Sequence, residues 1–101
     1  MNHSAIRKFS LGLPDTVEQD HHGFPSFRVK GKIFATLPDV NHANVMLHPD
    51  DISAAIESHP GPCEGQMWGK KLAALRVDLT KVKRKDLEGW LTDAWERRAN
   101  P

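Results

Sequence analysis

A single cysteine, Cys63, is present in the 101 residues, so no disulfide can form within the chain. The amino-terminal stretch MNHSAIRKFSLGL lacks the apolar run that a secretory leader or a membrane span needs, and together these absences predict a soluble cytoplasmic protein. No glycine-rich phosphate loop, nucleophile elbow or paired-acid signature is found, and Cys63 stands between Pro62 and Glu64 with no neighbouring cation to activate it. An enzyme is therefore not expected. The six histidines lack metal-ligand spacing; His42 and His48 share one strand parity but would lie roughly 20 Å apart along an extended chain. No metal and no cofactor is expected.

What the chain does have is one domain's worth of apolar sequence, with 39% hydrophobic and 27% charged residues, enough to bury one core across residues 1–101. Its net charge of +1 conceals segregation. Residues 25–37 carry Arg28, Lys30 and Lys32 with no acid, and residues 68–85 carry seven cations against Asp78 alone. The remaining segments are acidic. If the two basic segments meet in the fold, the domain has one strongly positive face.

The pattern along the chain predicts a short first helix capped by Ser4 and ended by Gly12 and Pro14, then an extended stretch from Thr16 to His22. FPSFRVKGKIFATL reads as a β-hairpin turning at Lys30-Gly31. A two-residue loop would set Arg28 opposite Ile33 and Phe27 opposite Phe34, and a longer loop would shift that pairing. A further strand is expected from about His42 to Leu47. A helix follows with Pro49 at its first position, Asp50 and Asp51 at its positive end, and Ile52, Ala55 and Ile56 on its buried face. The proline- and glycine-rich SHPGPCEGQMWGKK places Cys63 in a loop or irregular strand before the alternating Leu75, Val77 and Leu79, which suggests a second hairpin. A final helix from Arg84 to Arg98 would bury Leu87, Trp90, Leu91, Ala94 and Trp95. The order helix, three or four strands, helix, two strands, helix predicts a two-layer α+β domain, an antiparallel sheet with helices on one face and the other face free.

The stretches LGLPDTVE, HGFPSFRVKGKIFA, ANVMLHPDD, MWGKK with RVDL, and LTDAW together resemble the MmcQ/YjbR family, and the resemblance spans nearly the whole chain. It implies a CyaY-like fold and a double-wing DNA-binding motif. Met46 stands where that family commonly has lysine, and His48 where it commonly has aspartate. Frataxin-like proteins of the same architecture are linked to iron through an acidic first helix; here that helix carries Arg7 and Lys8 and no acid.

With the resemblance, the two basic hairpins become candidate wings: Arg28, Lys30 and Lys32 on one, Lys70, Lys71 and Arg76 on the other, contacting the phosphates of double-stranded DNA. Only Arg28 and Arg76 offer the forked donor suited to guanine. The plain structural readings are that lysines at a turn keep a sheet edge soluble and that Trp68 closes the core under the proline-rich loop. The expectation is a monomeric, non-catalytic DNA-binding domain. The alternatives are a protein-interaction module using the free sheet face or basic patch, and a small-molecule pocket near Trp68 and His22.

Overall fold

Asn2, rather than Ser4, opens the first helix: its side chain accepts the Ala5 N–H at 2.8 Å, and α1 runs from His3 to Leu11 with Ile6 buried beneath it. The computed structural model describes all of residues 1–101. Four strands follow α1 as a continuous meander: β1 Thr16–His21, β2 Phe24–Val29, β3 Lys32–Asp39 and β4 His42–Val45. After them come α2 Pro49–Ser58, the hairpin of β5 Cys63–Trp68 and β6 Lys71–Asp78, and α3 Arg84–Ala99. Every neighbouring pair in the six-stranded sheet is antiparallel, in the order β1-β2-β3-β4-β6-β5.

Strand alternation sorts the sheet into two faces. One transverse row, Phe27, Ala35, Val45 and Leu75, pairs residue to residue across β2, β3, β4 and β6, and all four are fully buried. Ile52 and Ala55 of α2 and Leu87, Leu91 and Ala94 of α3 close over that face in one core. Burying a side chain such as Phe27 or Leu91 stabilises the fold by about 1.5–3 kcal/mol each. The adjacent row, Ser26, Thr36, Asn44, Arg76 and Glu64, faces away from the helices. The architecture is the expected α+β two-layer domain.

Three local expectations change. Arg28 does pair with Ile33, but Phe27 pairs with Ala35, because Phe34 is an extra residue that bulges out of β3. The fourth strand ends at Val45, so His42 and His48 are not on one strand: His42 bonds Asp39 at 2.9 Å, while His48 caps α2 by accepting the Asp50 N–H at 3.1 Å. Cys63 begins strand β5 and is buried, not set in a loop; the pairing of that strand with β6 is irregular between Gln66 and Met67.

Antiparallel pairing also fixes where the two hairpin tips lie. β3 begins at the Lys30-Gly31 tip and runs away from it, β4 returns, and β6 runs away again from its own tip at Gly69-Lys70. Both tips therefore lie at the same end of the sheet. Their midlines are three strand spacings apart, ~14 Å, close to the width of a DNA groove.

Candidate nucleic-acid interface

The first tip is a two-residue turn in which Lys30 and Gly31 both take positive φ, 53° and 75°. That is the type I′ geometry matching the twist of a hairpin, and Gly31 accepts it without strain. The turn leaves Lys32 exposed at the head of β3 and puts Arg28 on the open face beside Ser26. Ser26 is fully buried; its hydroxyl donates to the Gln19 carbonyl at 2.8 Å and accepts from Arg28 Nε at 3.2 Å, which orients the guanidinium. Lys30 points elsewhere. Its ammonium donates to the Ala99 carbonyl at 2.7 Å, tying the tip to the negative end of the α3 dipole.

The second tip turns at Gly69, φ 61°, with Trp68 and Lys71 paired at its base. Lys70 and Lys71 are exposed, and Trp68 is 59% exposed, so it does not close the core as the packing reading expected. Arg76 lies farther down β6. It is held by Glu64 at 3.0 Å across β5 and by Asp39 at 3.7 Å, so its charge is largely compensated.

Between the hairpins the open face is a concavity of about 670 Å³. Arg28, Lys32, Lys71, Arg76, Arg97 and Arg98 line it, and no aspartate or glutamate does. Four of these six were anticipated. The structure does not bring Lys30 and Lys70 into the lining; they stand at the tips above it.

Arg97 and Arg98 are the residues that sequence reasoning missed. They belong to the last turn of α3, on the helical layer, yet reach around the sheet end into the concavity. Arg97 Nη1 donates to the Met46 carbonyl at 3.0 Å, just beyond β4, and Arg98 Nε to the Ile33 carbonyl at 3.1 Å, one residue before the Phe34 bulge. The bulge and the strand end interrupt the ladder at these points, and the arginines supply donors. Burial, and secondarily the adjacent charge of Arg97, lowers the pKa of Arg98. Neither arginine has a carboxylate partner; the open face is thus rimmed by α3's last turn rather than free. A guanidinium carries five N–H donors, so most of each fork remains available.

A model of the YjbR family matches residues 11–97. The chain belongs to the YjbR family. The match begins at the end of α1 and ends at Arg97, taking in both hairpins and five of the six concavity cations. A search of curated proteins and a search of solved structures found no match.

Two other groups in this YjbR domain carry side chains of nucleophilic type, and neither is activated. Ser58 Oγ, His59 and Asp86 lie in a row, with His59 Nδ1 hydrogen-bonded to Ser58 at 3.1 Å and Nε2 3.3 Å from the Asp86 carboxylate. Ser58 Oγ, however, donates to the Ala54 carbonyl at 2.7 Å, so its proton is directed to the helix and not to the imidazole. Burial, with a smaller contribution from Asp86, pushes the Cys63 thiol up to about 11, which leaves very little thiolate at neutral pH. No helix is long and apolar enough to cross a membrane.

Proposed function

We propose that this YjbR domain is a non-catalytic, cytoplasmic, monomeric protein that binds double-stranded DNA through its phosphate backbone. Arg28, Lys30 and Lys32 form one wing and Lys70, Lys71 and Arg76 the other, with Arg97 and Arg98 filling the space between them. The single observation that carries this reading is the concavity lined by six cations without one carboxylate, flanked by two basic tips at the same sheet end. A solvated face that merely kept the protein soluble would mix charges of both signs. The tips meet the outer phosphates, and the counterions released there supply affinity without sequence preference. Arg76 contributes least among the six wing residues, because binding DNA requires it to leave Glu64. Base reading falls to Arg28 alone, so specificity is weak.

Changing Lys30, Lys32, Lys70 and Lys71 together to glutamate tests the reading by fluorescence anisotropy with random-sequence duplex. Losing four phosphate contacts weakens binding at about 0.1 M salt by on the order of a thousandfold or more. Equal binding by the variant, with an unchanged circular dichroism spectrum, would remove the wings from the account. An apolar protein-docking interface, by contrast, would barely respond to salt.

A further inference from the structure

We infer that the floor of the concavity takes an unpaired base, so that this domain binds single-stranded DNA in preference to duplex; this rests on the phosphate-binding reading of the same cations. A duplex is a stiff cylinder whose bases are already stacked and paired, and it can touch only the rim and the tips. The floor and walls nevertheless carry groups that phosphates do not use. Trp68, 59% exposed, lines the concavity next to Lys71 and has no protein ring against it, and tryptophan is a costly residue to leave in water without a partner. Phe24 lies on the same face across the sheet, its edge against His21 at 5.4 Å. Asn44, at the centre of the sheet face between Thr36 and Arg76, has a buried side-chain oxygen with no hydrogen-bond partner. An acceptor of this kind, wasted on a phosphate, suits the N–H of a nucleobase. The space is the size of a nucleotide-scale ligand site.

An aromatic platform, a nearby acceptor and cations with no carboxylate among them are the requirements for holding a strand whose bases are splayed out. In this arrangement a base stacks on Trp68, a neighbouring base edge reaches Asn44, and the connecting phosphates lie along Lys71, Arg97, Arg98 and Lys32. Sheet faces with exposed aromatics grip single strands on the same physical grounds.

The test compares oligothymidylate with a random-sequence duplex of equal length at the same salt, by anisotropy, for the wild type, Trp68→Ala, Trp68→Phe and the Lys32→Glu/Lys71→Glu pair. Trp68 is on the surface, so its substitutions leave the fold intact, which a thermal melt verifies. Oligothymidylate is expected to bind more tightly than duplex. Trp68→Ala should weaken the single strand by about tenfold or more and the duplex by less than about twofold, with Trp68→Phe recovering most of the loss. Tighter duplex binding, or a single-strand affinity unmoved by Trp68→Ala, overturns the inference while the phosphate reading stands, provided the lysine pair still weakens duplex binding. If neither nucleic acid binds the wild type, both readings fall together.

Discussion

Replacing Lys32 and Lys71 by glutamine removes two of the five concavity cations that have no carboxylate partner, and the consequence for salt dependence can be worked out. If Arg28, Lys32, Lys71, Arg97, Arg98 and the tip lysines Lys30 and Lys70 each neutralise one phosphate, the logarithm of duplex affinity falls with the logarithm of salt at a slope of about −6.3. Raising salt from about 50 to 200 mM then weakens the wild type roughly 6,000-fold. With two contacts gone the slope becomes about −4.5, and the same salt step costs only roughly 500-fold. Glutamine is chosen over glutamate so that no new repulsion is introduced, and both positions are exposed, so the core is untouched. The assay is anisotropy of labelled random-sequence duplex at five or more salt concentrations. The slope is the informative quantity, since a variant that had merely lost folded protein would shift the line without flattening it. A wild-type slope shallower than about −2, or a variant whose slope equals that of the wild type, would refute the claim that these side chains meet phosphates.

Glu64→Gln releases Arg76 from its 3.0 Å partner, and it is expected to tighten duplex binding and steepen the slope toward about −7.2, whereas a purely structural pair would leave the slope alone. The buried Cys63, with its thiol at about 11, should be alkylated by iodoacetamide at about pH 8 on the order of 100-fold more slowly in the native protein than in denaturant; equal rates would mean the β5 strand opens freely. Partial burial, then the charges of Asp51 and Glu96, raise the carboxyl pKa of Asp93. A raised carboxyl makes its favourable contribution below the unfolded value and loses it as pH rises through the folded one, so Asp93→Asn should raise the melting temperature at neutral pH and not at about pH 3. A melting temperature raised equally at both values would assign the effect to packing instead.

The hairpin and the helix starts were legible because their signals are local. Lys30-Gly31 between alternating apolar residues specifies a type I′ turn, and Pro49 followed by two aspartates specifies a helix start, whatever the rest of the chain does. The likeness to the YjbR family extended the same reading to the second hairpin. What stayed hidden depends on who sits beside whom. Arg76 looked as available as Lys71 until β5 set Glu64 against it and the β3-β4 turn brought Asp39 within reach. The Phe34 bulge moved Phe27 onto Ala35 because packing of two large side chains, Phe27 and Phe34, both fully buried, outweighed a regular ladder. Arg97 and Arg98 read as ordinary cations at a helix end, a placement the helix dipole favours in any case. Only the three-dimensional meeting of the α3 end with the Lys30 tip and the ends of β3 and β4 turns them into part of the basic surface. Trp68 was ambiguous for a related reason: an aromatic in a short strand near a turn can face either layer, and the alternation Glu64, Gln66, Trp68 along β5 sets it on the open face.

The most direct test of the whole account is a titration of ¹⁵N-labelled protein with random-sequence DNA, followed by amide chemical shifts. Shifts confined to the two hairpins near their tips, the residues after β4 and the last turn of α3, namely around Arg28–Ile33, Met46, Trp68–Leu72 and Arg97–Arg98, are the predicted result. Shifts concentrated instead on the exposed surfaces of α1 and α2, or none at saturating DNA, would contradict it.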